Sequence, residues 1–159
     1  MSNDEIILTE EGLAQLEAEL DELKYVKRKE LAARIKLAIS YGDLKENSEY
    51  HSAKEEQAFM ETRILQIDRM LKKAKIVKAD SMDLSSVQIG TVVVLNDIEF
   101  AEQIEYKIVG TEEADVVENK ISYESPLGKE LLGKKAGSII EVNAPAGIIR
   151  YELLEIKAQ

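Results

Sequence analysis

The chain of 159 residues contains no cysteine. Disulfides, thiolate nucleophiles and Cys-ligated metal or iron–sulfur centres are excluded, and the composition suits a reducing compartment. Tryptophan is also missing and aromatics make up only 5%, which argues against an aromatic-lined ligand pocket and against stacking platforms for single-stranded nucleic acid. The apolar runs are too short to span a membrane. The acidic opening MSNDEIILTEEG shows no apolar segment of a secretory signal, so a cytoplasmic location is expected. Net charge of −10 disfavours generalised binding to duplex DNA or to an anionic membrane.

Charged residues at 33% and hydrophobic ones at 45% leave enough apolar surface for a packed core. The two halves differ in chemistry. Residues 1–80 hold 14 basic and 17 acidic side chains, and residues 81–159 hold 7 and 14. The first half has two glycines and no proline, whereas the second has six glycines, both prolines and twice the Val plus Ile (18 against 9). Long helices are expected first, then strands and turns. The join is expected at the polar stretch Ala79–Asp83, dividing a domain of residues 1–79 from one of residues 80–159.

Thr9, followed by Glu10, Glu11 and Gly12, has the pattern of a helix start, with a hydroxyl cap and acids at the positive end of the helix dipole. Leu13, Leu16, Leu20 and Leu23 share one helical face, and Val26, Leu31, Ile35 and Ala38 continue the stripe. The pattern breaks at Ser40–Leu44. A second stripe follows at Met60, Ile64, Ile67, Leu71 and Ala74. Two stripes around one short break predict an antiparallel coiled-coil hairpin. Arms of roughly 30 residues would be about 45 Å long, a finger too thin to enclose an active site. Beyond it, strands are predicted at 91–95, 103–109, 119–123, 138–143 and 147–156, with a short helix over 125–133 capped by Ser125 and ended at Gly133. The expected fold class is α+β.

The segment Gly42–Tyr50 carries the clearest functional signal. Asp43, Glu46 and Glu49 lie where the finger reverses. Carboxylates on a protruding turn are hydrated and ionised, able to contribute one or two oxygens to Mg²⁺ while the ion keeps several waters. A bare turn offers no closed ligand set, so a partner must complete such a site. The alternative is that Asp43 and Glu46 only cap the second helix and keep the turn soluble. Acid–base hydrolysis by a carboxylate pair would need a desolvated cleft, which an exposed turn lacks.

The run Ala38–Gln57, with Gly42-Asp43-Leu44-Lys45-Glu46-Asn47-Ser48-Glu49-Tyr50 at its centre, resembles the signature of the GreA/GreB family of bacterial transcript cleavage factors. The resemblance continues at Ile121–Lys129 and Leu132–Lys135 and covers essentially the whole chain. It implies an N-terminal coiled-coil hairpin and a C-terminal FKBP-like domain. The implied partner is bacterial RNA polymerase, with the globular domain at the rim of the secondary channel and the finger inside, near the 3′ end of nascent RNA. By position, Asp43 and Glu46 would be the acidic pair that helps hold a Mg²⁺ and its attacking water in a two-metal reaction. No cofactor of its own is implied, the Mg²⁺ being shared with the polymerase. Tyr41 and Glu49 would support the tip. The protein would be an accessory factor and a monomer, activating the polymerase's RNA cleavage. A channel-binding regulator or inhibitor without cleavage activity is the alternative. Within the family the acidic balance suits the GreA branch over the more basic GreB.

Lys24, Lys27, Arg28, Lys29, Arg34 and Lys36 form a basic stretch. A hairpin reversing near Glu46 would bring Arg63 toward Arg28 and Lys24, so Lys24, Arg28 and Arg63 are candidates for contact with RNA phosphates. The competing reading is a solvated helix face with i,i+4 pairs such as Glu30–Arg34. The single histidine, His51, is expected to be structural. With two Phe and no Trp, a prolyl-isomerase pocket is not expected. The second domain is expected to dock the polymerase, with Ser125, Pro126, Leu127 and Gly128 as candidates for the contact surface.

Overall fold

A computed structural model describes residues 5–78 and 83–158. The join expected at Ala79–Asp83 therefore lies, but for Asp83, outside the described residues. Two compact units make up the chain. One is Leu13–Lys73; the other combines the residues up to Gly12 with those from Ala74 onward.

The first unit is helical. Helix α1 (Glu10–Glu22) starts in the other unit and runs into a five-residue π-helical segment, Leu23–Lys27, continued by α2 (Arg28–Ser40). After a turn, α3 (Ser48–Lys73) returns. The expected cap is present: the Gly12 N–H donates to Thr9 Oγ1 at 3.1 Å. Leu16, Leu20, Leu31 and Ala38 are buried on the first arm, and Ala53, Met60, Ile64, Ile67 and Met70 on the second. The small Ala38 and Ala53 occupy the seam nearest the turn. Three positions depart from the predicted stripes. Val26 is exposed, because no side chain of the π segment is buried and its wider turn rotates this position off the seam. Met70 is buried in place of Leu71, and Ala74 has left the helix to open a strand.

That strand belongs to a pair the sequence did not disclose. Strand β1 (Ile6–Thr9) and strand β2 (Ala74–Val77) pair in parallel, from Ile6 opposite Ala74 to Thr9 opposite Val77. Both group with the sheet unit, although the compositional break at residue 80 assigns them to the finger. Strand β1 packs on the turn Thr111–Glu113 and on β4 (Glu102–Val109). Gly110 permits the approach, since a Cβ there would lie 2.0 Å from the Ile7 carbonyl oxygen. Glu113 fastens the contact: its carboxylate accepts from the Thr9 N–H at 3.0 Å and from the Thr9 hydroxyl at 2.6 Å. Beside it, Glu11 receives Lys107 at 3.0 Å and the buried Lys120 at 3.5 Å. Burial works against the Lys120 charge, but its hydrogen bond to Glu118 and the nearby Glu11 outweigh this and hold its pKa above the ordinary lysine value.

The remaining strands are β3 (Val92–Asp97), β5 (Lys120–Ser122), β6 (Ile139–Ala144) and β7 (Gly147–Lys157). With β4 they form one sheet of order β5-β4-β3-β7-β6, antiparallel except for β4 with β5. Val93, Leu95, Ile108, Ile140, Leu153 and Ile156 supply its buried side chains, and Leu131 of the short helix α4 (Pro126–Leu131) joins them. The five strands and the helix fall where the sequence predicts them, and the α+β class holds.

Candidate functional site

The site is the reversal between α2 and α3. Tyr41 ends α2 with its N–H bonded to Ala38 O, after which Gly42 takes φ +80 and Asp43 φ +27. Left-handed backbone at a non-glycine residue is uncommon, though Asp tolerates it better than most. The chain closes a tight turn, with Glu46 N donating to Asp43 O at 3.3 Å. Asn47 then starts α3: its Oδ1 accepts from the Tyr50 N–H at 3.1 Å. Its amide nitrogen points back across the turn, donating to Ala38 O at 2.6 Å and to Gly42 O at 3.4 Å. His51 donates from Nε2 to Lys45 O at 3.1 Å and sets its ring edge-on to Tyr50, centroids 5.5 Å apart. The single histidine thus braces the turn.

Tyr41, Gly42, Asp43, Glu46, Asn47 and Ser48 line one open concavity of about 290 Å³. The acidic pair and Tyr41 are therefore brought together, whereas Glu49 stands outside that lining, in the first turn of α3. Asp43, Glu46 and Glu49 are all exposed, as is Tyr41. Among the described residues no group of three or more His, Cys, Asp or Glu is placed to hold a metal ion. The donor chemistry fits a partial Mg²⁺ site: two hard, hydrated carboxylates, short of the six oxygens the ion takes.

Each of the three basic candidates meets a carboxylate from the opposite arm. Arg28 forms a bidentate pair with Glu61 (2.9 and 2.7 Å), Arg63 with Glu19 (2.7 and 2.9 Å), and Lys24 lies 3.7 Å from Asp68. Arg34 reaches Glu56 at 2.7 Å, where an i,i+4 bond to Glu30 was the expectation, and Glu30 pairs with Lys27. The hydrogen bond from Arg63 lowers the Glu19 pKa below the ordinary value, and that from Arg28 does the same to Glu61. Lys24, Arg28 and Arg34 of the basic stretch thus join a ladder of ion pairs between the arms, to which Glu19 and Arg63 add a rung of opposite sense. Only the fold reveals this, because the partners are 22 to 44 residues away.

Of the docking candidates, Pro126 is exposed and Ser125 and Leu127 are half-buried, with Leu127 packed on the core. Ser125 Oγ donates to Ser122 O at 2.6 Å and accepts from the Gly128 N–H at 3.1 Å. Gly128 is buried, and a Cβ on it would lie 2.1 Å from the Ser122 carbonyl oxygen. Ser125 and Gly128 therefore hold the start of α4.

The helical hairpin with its exposed carboxylates and the five-stranded sheet each fall within a family match. The profile described as "Transcription elongation factor, N-terminal" matches residues 6–76, and "Transcription elongation factor, GreA/GreB, C-term" matches residues 81–158. The chain belongs to the GreA/GreB family of transcription elongation factors. Among its relatives, "Transcription elongation factor GreA" of Clostridioides difficile (strain 630) is 53% identical over 155 residues, 98% of each chain. The protein of the same name from Acetivibrio thermocellus is 52% identical over 156 residues, again 98% of each. Among solved structures, GreA factor homolog 1 (Gfh1) of Thermus thermophilus is 28% identical, with 96% of this chain and 98% of that one covered, at a TM-score of 0.44.

Among the described residues no helix is long and apolar enough to cross a membrane.

Proposed function

We propose that this elongation factor binds bacterial RNA polymerase through its secondary channel and stimulates the polymerase's own endonucleolytic cleavage of backtracked nascent RNA, releasing arrested complexes. The observation that carries this reading is the pairing of Asp43 and Glu46, both exposed, on one concavity at the end of the finger. Helix α3 has 26 residues and extends about 39 Å at about 1.5 Å per residue, long enough to pass along a channel. The sheet unit docks at the channel rim and the finger carries its acids to the RNA 3′ end. The factor works in the cytoplasm as a monomer.

The chemistry belongs to the polymerase, and the factor completes its site. Asp43 and Glu46 would hold Mg²⁺ together with polymerase groups, and the ion supplies activation of the water that attacks the RNA phosphate. The role of this chain is electrostatic and geometric: it brings two negative charges to a site that has room for them and holds them there. Their exposure suits this, since both must change water for the polymerase interior only on entry. Lys24, Arg28 and Arg63 contact RNA phosphate only by exchanging or sharing their carboxylate partners, which keeps that contact weak.

The test is cleavage in a deliberately backtracked complex. Wild type is expected to accelerate cleavage, and to do nothing to free RNA with Mg²⁺ alone. Asp43→Asn with Glu46→Gln should still compete with wild type for the polymerase while losing stimulation. Cleavage of free RNA would instead define an autonomous hydrolase. Near wild-type stimulation by the doubly neutralised tip at low Mg²⁺ would overturn the assigned role of the two acids.

A further inference from the structure

The Asn47 side chain spans the reversal and bonds both helices at once. Its Oδ1 accepts the Tyr50 N–H, satisfying one of the free donors that begin α3. Its Nδ2 reaches back to Ala38 O at 2.6 Å and Gly42 O at 3.4 Å. Ala38 O lies in the last turn of α2, where it also accepts the Tyr41 N–H at 3.1 Å, and Gly42 is the residue whose φ of +80 begins the turn. One amide is therefore an N-cap for one helix and a clasp on the other. The residues between its two anchor points, 42 to 47, include Asp43 and Glu46. Asp43 adopts left-handed backbone, a conformation that persists only where its surroundings impose it. Asn47 is half-buried between exposed neighbours and lines the same concavity as the two acids.

We propose that Asn47 is a positioning residue: through its bonds to Ala38 and Gly42 it fixes the turn in the shape that sets Asp43 and Glu46 on one concavity. This rests on the reading of those two acids as the groups that assist cleavage. The other side chains at the turn do not duplicate the clasp. His51 ties Lys45 to α3 but makes no bond to α2, and Glu46 N to Asp43 O closes the turn locally without anchoring it. Without the clasp the turn keeps its sequence and charge but loses its fixed connection to the end of α2. Misplacing a catalytic group by about 1 Å can cost on the order of 100-fold in rate, so a loosened turn should act on the rate with little effect on docking.

The two jobs of Asn47 are chemically separable. Asn47→Ser retains a good N-cap, but its side chain is too short to reach Ala38 O and its hydroxyl serves Tyr50. Asn47→Asp also keeps the cap and has no N–H to donate to either carbonyl. Both full-length variants, with wild type and the Asp43→Asn/Glu46→Gln protein, are titrated against backtracked polymerase complexes. Helix content is checked by circular dichroism, and both the half-saturating factor concentration and the saturating cleavage rate are measured. The expected result is helix content and half-saturation within twofold of wild type, with a saturating rate at least about tenfold lower for both variants. A further sign is a higher Mg²⁺ concentration for half-maximal rate. Saturating rates within twofold of wild type would overturn the positioning role, as would a loss confined to half-saturation. If the doubly neutralised protein also cleaved at the wild-type rate, the reading of the acids would fall instead, so the two failures are distinguishable.

Discussion

Gly12 and Glu113 are 101 positions apart in sequence, yet Glu113 is expected to set the sign of a substitution at Gly12. A Cβ built on Gly12 would lie 2.1 Å from Glu113 Oε1 and 2.4 Å from its carboxyl carbon. The carboxylate is held there by two bonds from Thr9, one from the N–H and one from the hydroxyl, and Thr9 is only 5% exposed. Bonds to an ionised group contribute about 1.5–3 kcal/mol each. For a half-buried carboxylate the lower figure applies, so Glu113→Ala should cost about 3 kcal/mol. Gly12→Ala must push at least Oε1 aside, losing about 1.5 kcal/mol or more. It recovers at most about 0.5–1 kcal/mol of helix preference, leaving a net cost of about 0.5–1 kcal/mol or more. In the Glu113→Ala background the obstruction is gone, and the same Gly12→Ala change should stabilise by about 0.5 kcal/mol. Equilibrium urea unfolding, followed by near-ultraviolet circular dichroism of the core-packed Tyr106, Tyr123 and Tyr151, measures all four proteins of the cycle. Equal costs for Gly12→Ala in the two backgrounds would refute the reasoning.

The carboxylates of the charge ladder, with Glu11 of the sheet unit, predict the acid limb of stability. Glu19, Glu61 and Glu11 have folded pKa values below the ordinary glutamate value of 4.5, chiefly through hydrogen bonds from Arg63, Arg28 and Lys107. Their contribution is complete above about pH 4.5 and is lost as pH falls through the folded values. The melting temperature should drop there, with a shallower limb in Glu19→Gln/Glu61→Gln, and an unchanged limb would count against the ladder. Because the pairs are exposed, each should contribute little and weaken with salt. Gly128→Ala should destabilise the sheet unit by about 1–3 kcal/mol, since the Cβ meets backbone that cannot swing away. Gly133→Ala should cost about 1 kcal/mol, from φ +83 alone with open space around it. Urea midpoints rank the two.

The parts legible in the sequence are those whose signals are local. The seam from Leu16 to Ile67 repeats every three or four residues, α4 has its Ser125 cap and Gly133 stop, and the strands of the sheet are bounded by glycine and turn residues. Asp43 and Glu46 stand out because acids at a break between two stripes have an immediate chemical meaning. What escaped depends on distant partners. Strand β1 is four residues long and pairs with a strand 68 positions later, with no periodicity to betray either. Lys24, Arg28 and Arg34 look available in the sequence because the carboxylates that meet them lie on the returning arm. Asn47 sits in plain view beside Glu46, but only the placement of the Ala38 carbonyl reveals its second set of bonds. A sequence signal did exist: Asn immediately before an acidic first turn marks a cap, though not the clasp.

The parallel pair of β1 and β2 sets the order in which the chain can mature as it leaves the ribosome. Strand β1 emerges ahead of the finger, yet its neighbour β2 follows only after the whole finger, and the Gly110 and Glu113 that complete its surroundings come later still. The helical arms pair across 22 to 44 residues, nearer in sequence than the strands β1 and β2, and nearer contacts form earlier. The finger can therefore assemble while its own root waits, unsealed, for the sheet. Closure of the root is a late checkpoint, so a polypeptide that stalls before residue 113 carries a formed finger on an unlatched base.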